Sequence, residues 1–259
     1  MKRTVIFWFN HLNKFPILLI ATIFYGFYTI KKRVKETIHW HEFFYQICRK
    51  FHFPTVIVSK VEVLFFQDPY RHEADVSKFL FTKAFGKLFI DVGANLGRYT
   101  ILLGRNFDKV IAVEPDPNNV FFLMQNVKQA NLSNVKILQC AVSDKDGTAF
   151  LYFSSHIAGH TLCKNLGKGE ILVRTRTLAS IIQSNTADLV KVDVEGAEWL
   201  VLKGAEPILD RIKAWVVELH NPKRKRELEQ WFVFHGYSFK WLDFRGKTAN
   251  HIYAWRKQN

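Results

Sequence analysis

The chain has 259 residues, of which 48% are hydrophobic and 15% aromatic, with 13 glycines and 7 prolines. A chain of this length can bury the core of one large domain, and this composition excludes a disordered or low-complexity protein. The net charge is +14, and residues 1–60 hold ten lysines and arginines against two acidic residues. No RNA- or DNA-binding motif accompanies this charge, so nucleic-acid binding is disfavoured and contact with an anionic membrane surface is favoured.

The three cysteines, Cys48, Cys140 and Cys163, lack the spacing of a disulfide framework or a structural zinc site. We therefore expect reduced thiols, which are typical of a cytosolic compartment. The catalytic part of the chain is predicted to be cytoplasmic.

Residues 15–30 carry no charge and are followed at once by a basic cluster, Lys31, Lys32, Arg33 and Lys35. A helix of this length spans about 24 Å, short of the roughly 30 Å hydrocarbon core of a bilayer. No small-residue cleavage site follows, which disfavours a removed signal peptide. Residues 1–36 are therefore predicted to be a hydrophobic segment. Three hypotheses stay open for it: a membrane anchor, an interfacial helix, or a helix packed on the domain.

Membrane association is predicted to run through residues 5–35. If the segment spans a bilayer, the basic cluster behind it places the rest of the chain on the cytosolic side. Oligomeric state cannot be predicted from the sequence.

Residues 37–86 are predicted to form a cap before the main domain. The cap holds two short β-type runs, at 55–59 and 61–66, and a helical pattern at 73–85. From residue 87 onward strands and helices alternate, which is typical of an α/β domain with a parallel sheet. The domain is predicted to occupy residues 87–259.

The predicted elements of this domain follow in chain order. Strands are predicted at 87–92, 109–114, 135–140, 148–153, 171–177, 188–192 and 214–219. Helices are predicted at 98–107, 117–130, 197–205 and 222–235. Residues 237–242 and 249–255 follow without an intervening helix, so they are predicted to form a C-terminal antiparallel hairpin.

A glycine-bearing turn follows the first of these strands, in the sequence FIDVGANLGRYT at 89–100. The strand ends in Asp91, and Gly93 and Gly97 then lead into a helix, which lets a ligand approach the backbone and the helix N-terminus. Asn95 stands where the dinucleotide fingerprint GxGxxG has its second glycine. The turn therefore indicates a nucleotide site and disfavours a dinucleotide-dependent oxidoreductase.

The next strand ends in an acidic residue, Glu114, in the sequence KVIAVE. An acid at this position can accept hydrogen bonds from both ribose hydroxyls of an adenosine. The order of strand, glycine turn, helix, strand and terminal acid therefore predicts an adenosine-containing cofactor.

Two further acidic clusters follow later strands. Asp193 and Glu195 lie within KVDVEGAE, at the carboxyl end of a predicted strand, and Glu218 and His220 lie at the end of VVELH. These positions are at the carboxyl ends of strands, where open α/β sheets bind ligands. Glu198 is interpreted as an acid that complements a helix dipole, with a role in the site as the alternative. His220 is interpreted as a general base, with a satisfied polar group as the alternative.

Other polar residues have simpler explanations. His156 and His160 are interpreted as solvated loop residues, with a role in covering the acceptor as the alternative. The basic run at 223–226 is interpreted as a solvated face, with recognition of a phosphate-bearing acceptor as the alternative.

The sequence resembles the FkbM-type methyltransferases over about residues 88–256. The resemblance rests on six motifs in order: IDVGANLGRYT, VIAVEPDP, AVSDKDG, TRTLASII, LVKVDVEGAEWLVLKGA and VVELH. It implies a Rossmann-like class I fold, which has a mostly parallel seven-stranded sheet with one reversed strand and helices on both faces. It also implies S-adenosylmethionine as cofactor and transfer of its methyl group to a hydroxyl, often on a sugar.

The resemblance also assigns residues to the cofactor. It places Asp91, Gly93, Asn95 and Gly97 around the methionine end, and Glu114 on the ribose. The adenine slot is assigned to Pro115, Cys140, Ala141 and Val142.

The catalytic candidates are Asp193, Glu195, Glu218 and His220. These residues could supply the base that a hydroxyl acceptor needs, or they could hold a divalent metal that lowers the acceptor pKa. The sequence leaves this choice open.

The predicted function is O-methylation of a hydroxyl on a sugar, glycolipid or related metabolite, with a small molecule or glycan as acceptor. Two alternatives stay open: a nucleotide-cofactor oxidoreductase on a similar sheet, and a catalytically inactive membrane-tethered binding module.

Overall fold

The computed structural model describes residues 55–57, 63–65, 74–154, 160–244 and 247–256. The chain divides into two compact units at residue 64. Two short strands, β1 (Thr55–Ile57) and β2 (Val63–Phe65), form a two-stranded sheet. Each strand falls within one of the two predicted β-type runs. The hydrophobic segment at 15–30 and its basic cluster lie outside the described residues. Among the residues that are described, no helix has the length and apolar character needed to cross a membrane. The boundaries at residues 36 and 86 stay predictions.

The remaining elements alternate between strand and helix. The first half of the domain contains α1 (Ala74–Lys83), β3 (Gly86–Val92), α2 (Arg98–Leu103), β4 (Phe107–Val113), α3 (Pro117–Gln129), β5 (Val135–Leu138), β6 (Ala141–Val142) and β7 (Gly147–Tyr152). The second half contains β8 (Glu170–Arg176), α4 (Leu178–Ile182), β9 (Leu189–Val192), α5 (Glu198–Ala205), β10 (Ala214–Glu218), α6 (Lys225–Phe234), β11 (Ser238–Phe244) and β12 (Lys247–Trp255). Short 3₁₀ turns occupy Gly104–Asn106, Glu206–Arg211 and Pro222–Arg224.

Seven strands form the main sheet, in the order β11-β12-β10-β9-β3-β4-β5. The neighbouring pairs from β10 to β5 are parallel, whereas β12 runs antiparallel to both β10 and β11. This confirms the predicted mostly parallel seven-stranded sheet with one reversed strand and a C-terminal hairpin. A second sheet of three strands, in the order β6-β8-β7, accounts for the irregular region after β5.

Both faces of the main sheet are covered, because alternate side chains of each central strand enter different cores. On β3, Leu88 and Ile90 pack with residues of α4, α5 and α6, whereas Phe89 packs with residues of α1 and α2. A buried parallel sheet needs this cover on both sides. The prediction of helices on both faces is therefore confirmed.

Three local predictions differ from the structure. The helix predicted at 98–107 ends at Leu103, because Phe107 already pairs with Gly86 at the start of β4. The strand predicted at 135–140 ends at Leu138. The helix α4 was not among the predicted elements; its cap is the Thr177 side chain, which accepts a hydrogen bond from the backbone N–H of Ser180 at 3.0 Å.

Candidate active site

A cavity of about 200 Å³ lies at the carboxyl ends of β3, β4, β9 and β10. The chain order of the strands reverses between β3 and β9, and open α/β sheets bind ligands at such a reversal. Most of the residues predicted to bind the cofactor or to act in catalysis line this cavity: Gly93, Asn95, Glu114, Pro115, Cys140, Ala141, Val142, Asp193, Glu195 and Glu218. Asp91, Gly97 and His220 do not line it.

The glycine turn is shaped by the protein's own packing. Gly93 has a φ of +75°, and a Cβ there would overlap the backbone carbonyl oxygen of Asp193. Gly97 has a φ of +92°, and a Cβ there would press on the Leu123 side chain of α3. Gly93 therefore lets the end of β3 pass the end of β9, and Gly97 lets α2 lie against α3. The sequence-based explanation, room for a ligand, does not apply to Gly97.

Asp91 is a buried residue that precedes the glycine turn and hydrogen-bonds to α2. It is 1% exposed, and its Oδ2 accepts a hydrogen bond from the Thr100 hydroxyl at 2.6 Å. Within the described part of the chain, its Oδ1 has no hydrogen-bond partner. Burial raises the pKa of Asp91, although the nearby ammonium of Lys191 acts in the opposite direction. Asp91 therefore contacts α2 and not the cavity.

Glu114 is the acid at the end of β4, and it lines the cavity while only 5% exposed. Its Oε2 accepts from the N–H of Asn95 at 2.8 Å, and its Oε1 accepts from the N–H of Asp116 at 3.1 Å and from Asn119 Nδ2 at 3.3 Å. Burial raises its pKa to about 7, with the hydrogen bonds acting against that rise. A carboxylate offers about four acceptor positions, so roughly one is left for a ribose hydroxyl.

The wall beside Glu114 is largely apolar. Pro115, Cys140, Ala141 and Val142 line it, as the resemblance implies for an adenine slot, together with Leu151 and Leu162. Burial raises the pKa of the Cys140 thiol, which keeps it protonated and unreactive. Cys140 is therefore a small wall residue.

His160 lies beside this wall, whereas His156 is outside the described residues. His160 Nε2 is 3.1 Å from Asp116 Oδ2, and its Nδ1 accepts from the N–H of Ser154 at 3.1 Å. The neighbouring Thr161 donates from its hydroxyl to the carbonyl of Glu195 at 2.7 Å. His160 therefore lines the cavity with fixed partners, and its interpretation as a solvated loop residue is wrong.

At the opposite end of the cavity, carboxylates surround His220. Its Nε2 is 3.3 Å from Glu195 Oε2, 3.7 Å from Asp193 Oδ1 and 4.0 Å from Glu218 Oε1. Its Nδ1 is 2.6 Å from Oε1 of Glu198, whose side chain is 2% exposed. Glu198 is therefore a direct partner of His220, and the helix dipole alone does not explain it.

Lys191 is a second basic residue that the sequence interpretation did not single out. It is 1% exposed, its Nζ lies 3.0 Å from Asp193 Oδ2, and the same ammonium lies 4.4 Å from the centre of the Tyr99 ring. A lysine inside the otherwise apolar strand β9 was the available signal, because a buried ammonium needs a partner. Burial raises the pKa of Asp193, but Lys191 and His220 bring it below its ordinary value.

The protonation of His220 bears on its predicted role as a base. Burial alone would lower its pKa, but hydrogen bonds to Glu195 and Glu198 and the charges of Glu195 and Asp193 raise it to about 11. The imidazole is therefore protonated at neutral pH in this arrangement. A protonated imidazole cannot accept a hydroxyl proton, so the arrangement does not support His220 as the resting general base.

Comparison with known proteins identifies the family of this chain. Residues 91–239 match the family model of the methyltransferase FkbM domain. Methyltransferase 1 of Beauveria bassiana (strain ARSEF 2860) is 27% identical over 161 residues, which cover 52% of this chain and 65% of that protein. Hexuronic acid methyltransferase AglP of Haloferax volcanii is 29% identical over 167 residues, which cover 63% of this chain and 69% of that protein. The chain thus spans just under two thirds of the first relative's length.

A solved structure supports the fold. The crystal structure of methyltransferase FkbM from Methylobacillus flagellatus KT matches with a TM-score of 0.53 and 17% identity, over 69% of this chain and 47% of that one. At this identity the likeness shows the shared fold alone. The family match extends from Asp91 at the end of β3 to Phe239 in β11, and so includes the glycine turn, Glu114 and both acidic strand ends. The chain belongs to the FkbM family of methyltransferases.

Proposed function

We propose that this methyltransferase uses S-adenosylmethionine to methylate a hydroxyl group on a sugar, a glycolipid or a related metabolite. The observation that carries the proposal is the cavity at the carboxyl edge of the sheet. One wall of it holds the glycine turn, Glu114 and an apolar slot, and the other end holds a group of carboxylates. A nucleoside-bearing methyl donor and a hydroxyl acceptor need these two environments side by side.

The cofactor is proposed to bind with its adenosine against Pro115 and the Cys140–Val142 wall, and its ribose at Glu114. Its methionine end lies along Gly93 and Asn95, which brings the sulfonium toward Asp193 and Glu195. Carboxylates stabilise a positive sulfonium and the ammonium of the methionine end. The cavity of about 200 Å³ is smaller than the roughly 300–1,000 Å³ of typical ligand pockets, so part of a bound cofactor would extend beyond it.

Methyl transfer is an in-line displacement, in which the acceptor oxygen attacks the methyl carbon opposite the sulfur. Positioning of the two reactants supplies much of the rate enhancement in such a reaction. The acceptor hydroxyl must also lose its proton. Asp193, Glu195 and Glu218 all line the cavity, which supports one of these carboxylates as the group that accepts the proton.

The sugar class of the acceptor is supported by one relative, the hexuronic acid methyltransferase AglP, at 29% identity. A hydroxyl acceptor also agrees with the carboxylates at the acceptor end of the cavity. The proposed place of reaction is the cytosolic face of a membrane, with residues 5–35 making the contact. A membrane-linked glycan would then be the favoured form of the acceptor.

The proposal is tested by calorimetric titration of the purified protein with S-adenosylmethionine, S-adenosylhomocysteine and NAD. We expect saturable binding of the first two and none of NAD. Binding of NAD alone would support an oxidoreductase, and binding of none of the three would support an inactive binding module. Mass spectrometry of glycans and lipids incubated with the protein and S-adenosylmethionine then identifies the acceptor. We expect a product that gains one methyl group on a sugar hydroxyl.

A further inference from the structure

Three side chains at the acceptor end of the cavity converge on one point. One ligand atom from each of Asp193, Glu195 and His220 can be chosen so that all three lie within 4.8 Å of one another. The His220 Nε2 atom is 3.3 Å from Glu195 Oε2 and 3.7 Å from Asp193 Oδ1. Ligands of a small divalent cation lie about 2.1 Å from the metal, so adjacent ligands are about 3 Å apart and opposite ligands about 4 Å. The two distances from His220 Nε2 are therefore already near the spacing of such ligands.

From this geometry we propose that Asp193, Glu195 and His220 bind a divalent cation that activates the acceptor hydroxyl. The inference rests on the proposed O-methylation for its purpose, but the binding of the metal itself does not depend on it.

Residues outside the ligand set hold each of the three in place. The Nδ1 of His220 lies 2.6 Å from Oε1 of the buried Glu198, and the same carboxylate oxygen accepts from the N–H of Gly196 at 2.9 Å. Metal-binding histidines have this arrangement, in which a carboxylate accepts from the other ring nitrogen and orients the ring. With Nδ1 beside Glu198, Nε2 is the ring nitrogen that faces Asp193 and Glu195.

Asp193 and Glu195 also contact residues outside the ligand set. The Lys191 ammonium lies 3.0 Å from Asp193 Oδ2, which leaves Oδ1 directed toward His220. The hydroxyl of Thr161 donates to the backbone carbonyl of Glu195 at 2.7 Å. Glu218 differs, because its Oε1 accepts from Asn250 Nδ2 at 2.8 Å and its Oε2 lies 3.3 Å from His251 Nε2. We therefore place Glu218 outside the ligand set.

The charge of the cluster also favours a cation. Carboxylates of Asp193, Glu195, Glu198 and Glu218 all lie within 4.0 Å of His220. These four carboxylates outnumber the basic groups of Lys191, His220 and His251 that lie within 4.0 Å of them. Unbalanced charge in a partly buried site is costly, and a divalent cation offsets it. When the cation binds, the proton on Nε2 leaves to solvent.

The two carboxylate oxygens suit magnesium or manganese, and the imidazole nitrogen favours manganese, the softer ion of the two. Three protein ligands leave coordination positions open, and Asp193 and Glu195 line the cavity where the acceptor is proposed to bind. A hydroxyl bound to the cation loses its proton to solvent more readily, because the cation stabilises the alkoxide that attacks the methyl carbon.

The test uses the full chain after removal of metal with a chelator. Manganese is titrated into the protein, and the free ion is followed by electron paramagnetic resonance. We expect one saturable site per chain, which magnesium displaces. Glu195→Gln and His220→Gln should each weaken manganese binding at least tenfold. Asp144→Asn is the matched control, since it removes one carboxylate that is paired with Lys203 elsewhere; it should leave binding unchanged.

A spectroscopic measurement on the unaltered protein identifies the ligand directly. Bound manganese should show coupling to a ¹⁴N nucleus, and His220→Gln should remove that coupling. Absence of a saturable site, or of ¹⁴N coupling in the unaltered protein, would overturn the inference. Binding of S-adenosylhomocysteine, measured in parallel, separates the two proposals. If it binds while manganese does not, only the metal site is rejected. If manganese binds while neither cofactor form does, only the proposed function is rejected.

Discussion

The carbonyl oxygen of Asp193 occupies the space that a Cβ on residue 93 would need. Gly93 at the end of β3 and Asp193 at the end of β9 thus depend on each other, and the close approach of these two strand ends forms the floor of the cavity. A substitution at Gly93 would have to displace the backbone that carries one of the acceptor-end carboxylates.

We therefore expect Gly93→Ala to destabilise the fold by about 2–4 kcal/mol, in addition to weakening cofactor binding. Gly196→Ala is the matched control, because Gly196 also has positive φ, at +100°, but among the described residues no atom outside its chain neighbours lies within 4 Å of its Cβ position. Gly196→Ala should lower the free energy of unfolding by about 1–2 kcal/mol, which is the cost of placing alanine at positive φ without a steric overlap. Chemical denaturation of both variants measures the difference. Equal losses would contradict the overlap with Asp193.

Glu114→Ala should weaken binding of S-adenosylmethionine by about 1.5–3 kcal/mol, because a charged acceptor for the ribose is lost. The same carboxylate also holds the N–H groups of Asn95 and Asp116, so part of the loss comes from a less ordered turn. Calorimetry measures the dissociation constant, with Glu170→Ala, an exposed acid on β8, as control. An unchanged constant in a folded Glu114→Ala protein would remove Glu114 from the proposed ribose site.

The raised pKa of Glu114 predicts a dependence of stability on pH. Folding shifts this pKa from 4.5 to about 7, so the folded state binds the proton more tightly than the unfolded state. The contribution of Glu114 to stability is then greatest below pH 4.5 and falls as pH rises to about 7. The total loss is about 3 kcal/mol. The free energy of unfolding of wild type and of Glu114→Gln, measured at pH 5 and pH 8, isolates this contribution. The same change with pH in both proteins would show that the pKa of Glu114 is not raised.

Lys191→Met should destabilise the protein by about 2–4 kcal/mol, because it removes the buried ammonium that neutralises Asp193 and lies beside Asp91. The double variant Lys191→Met/Asp193→Asn should recover part of that loss, since the carboxylate left without its partner is then neutral. A double-mutant cycle from denaturation curves measures the coupling. Additive losses would mean that the two residues act independently.

Much of the fold could be predicted because the central strands are continuous apolar runs that end in polar residues. The parallel core from β3 to β10 and the C-terminal hairpin follow from that pattern. Helix α4 could not be predicted from it, since five residues are too few to show a helical period and its cap, Thr177, is a local signal. The helix predicted to reach Phe107 was too long because an apolar residue fits both a helix face and a strand.

The site was predicted where each residue ends a strand, as at Glu114, Asp193 and Glu218. The sequence did not reveal the role of residues whose presence their immediate sequence neighbours already explain. Glu198 fitted a helix N-terminus and His160 fitted a loop, yet each has a partner far away in sequence, His220 and Asp116 respectively. Only the three-dimensional arrangement shows such pairs.

The last prediction concerns residues 15–30, whose uncharged run is followed by four basic residues within positions 31–35. If the run anchors the protein, the full-length chain should sediment with membranes and resist extraction by about 1 M salt, at which surface charges are screened beyond about 3 Å. Detergent should release it. A shortened protein beginning at Lys31 should leave the membrane fraction and keep its affinity for S-adenosylmethionine, since the cofactor motifs begin after residue 87. Release of the full-length chain by salt would favour an interfacial helix held by charge. A full-length chain that needs no detergent, with a shortened form that aggregates, would show that the run packs on the domain.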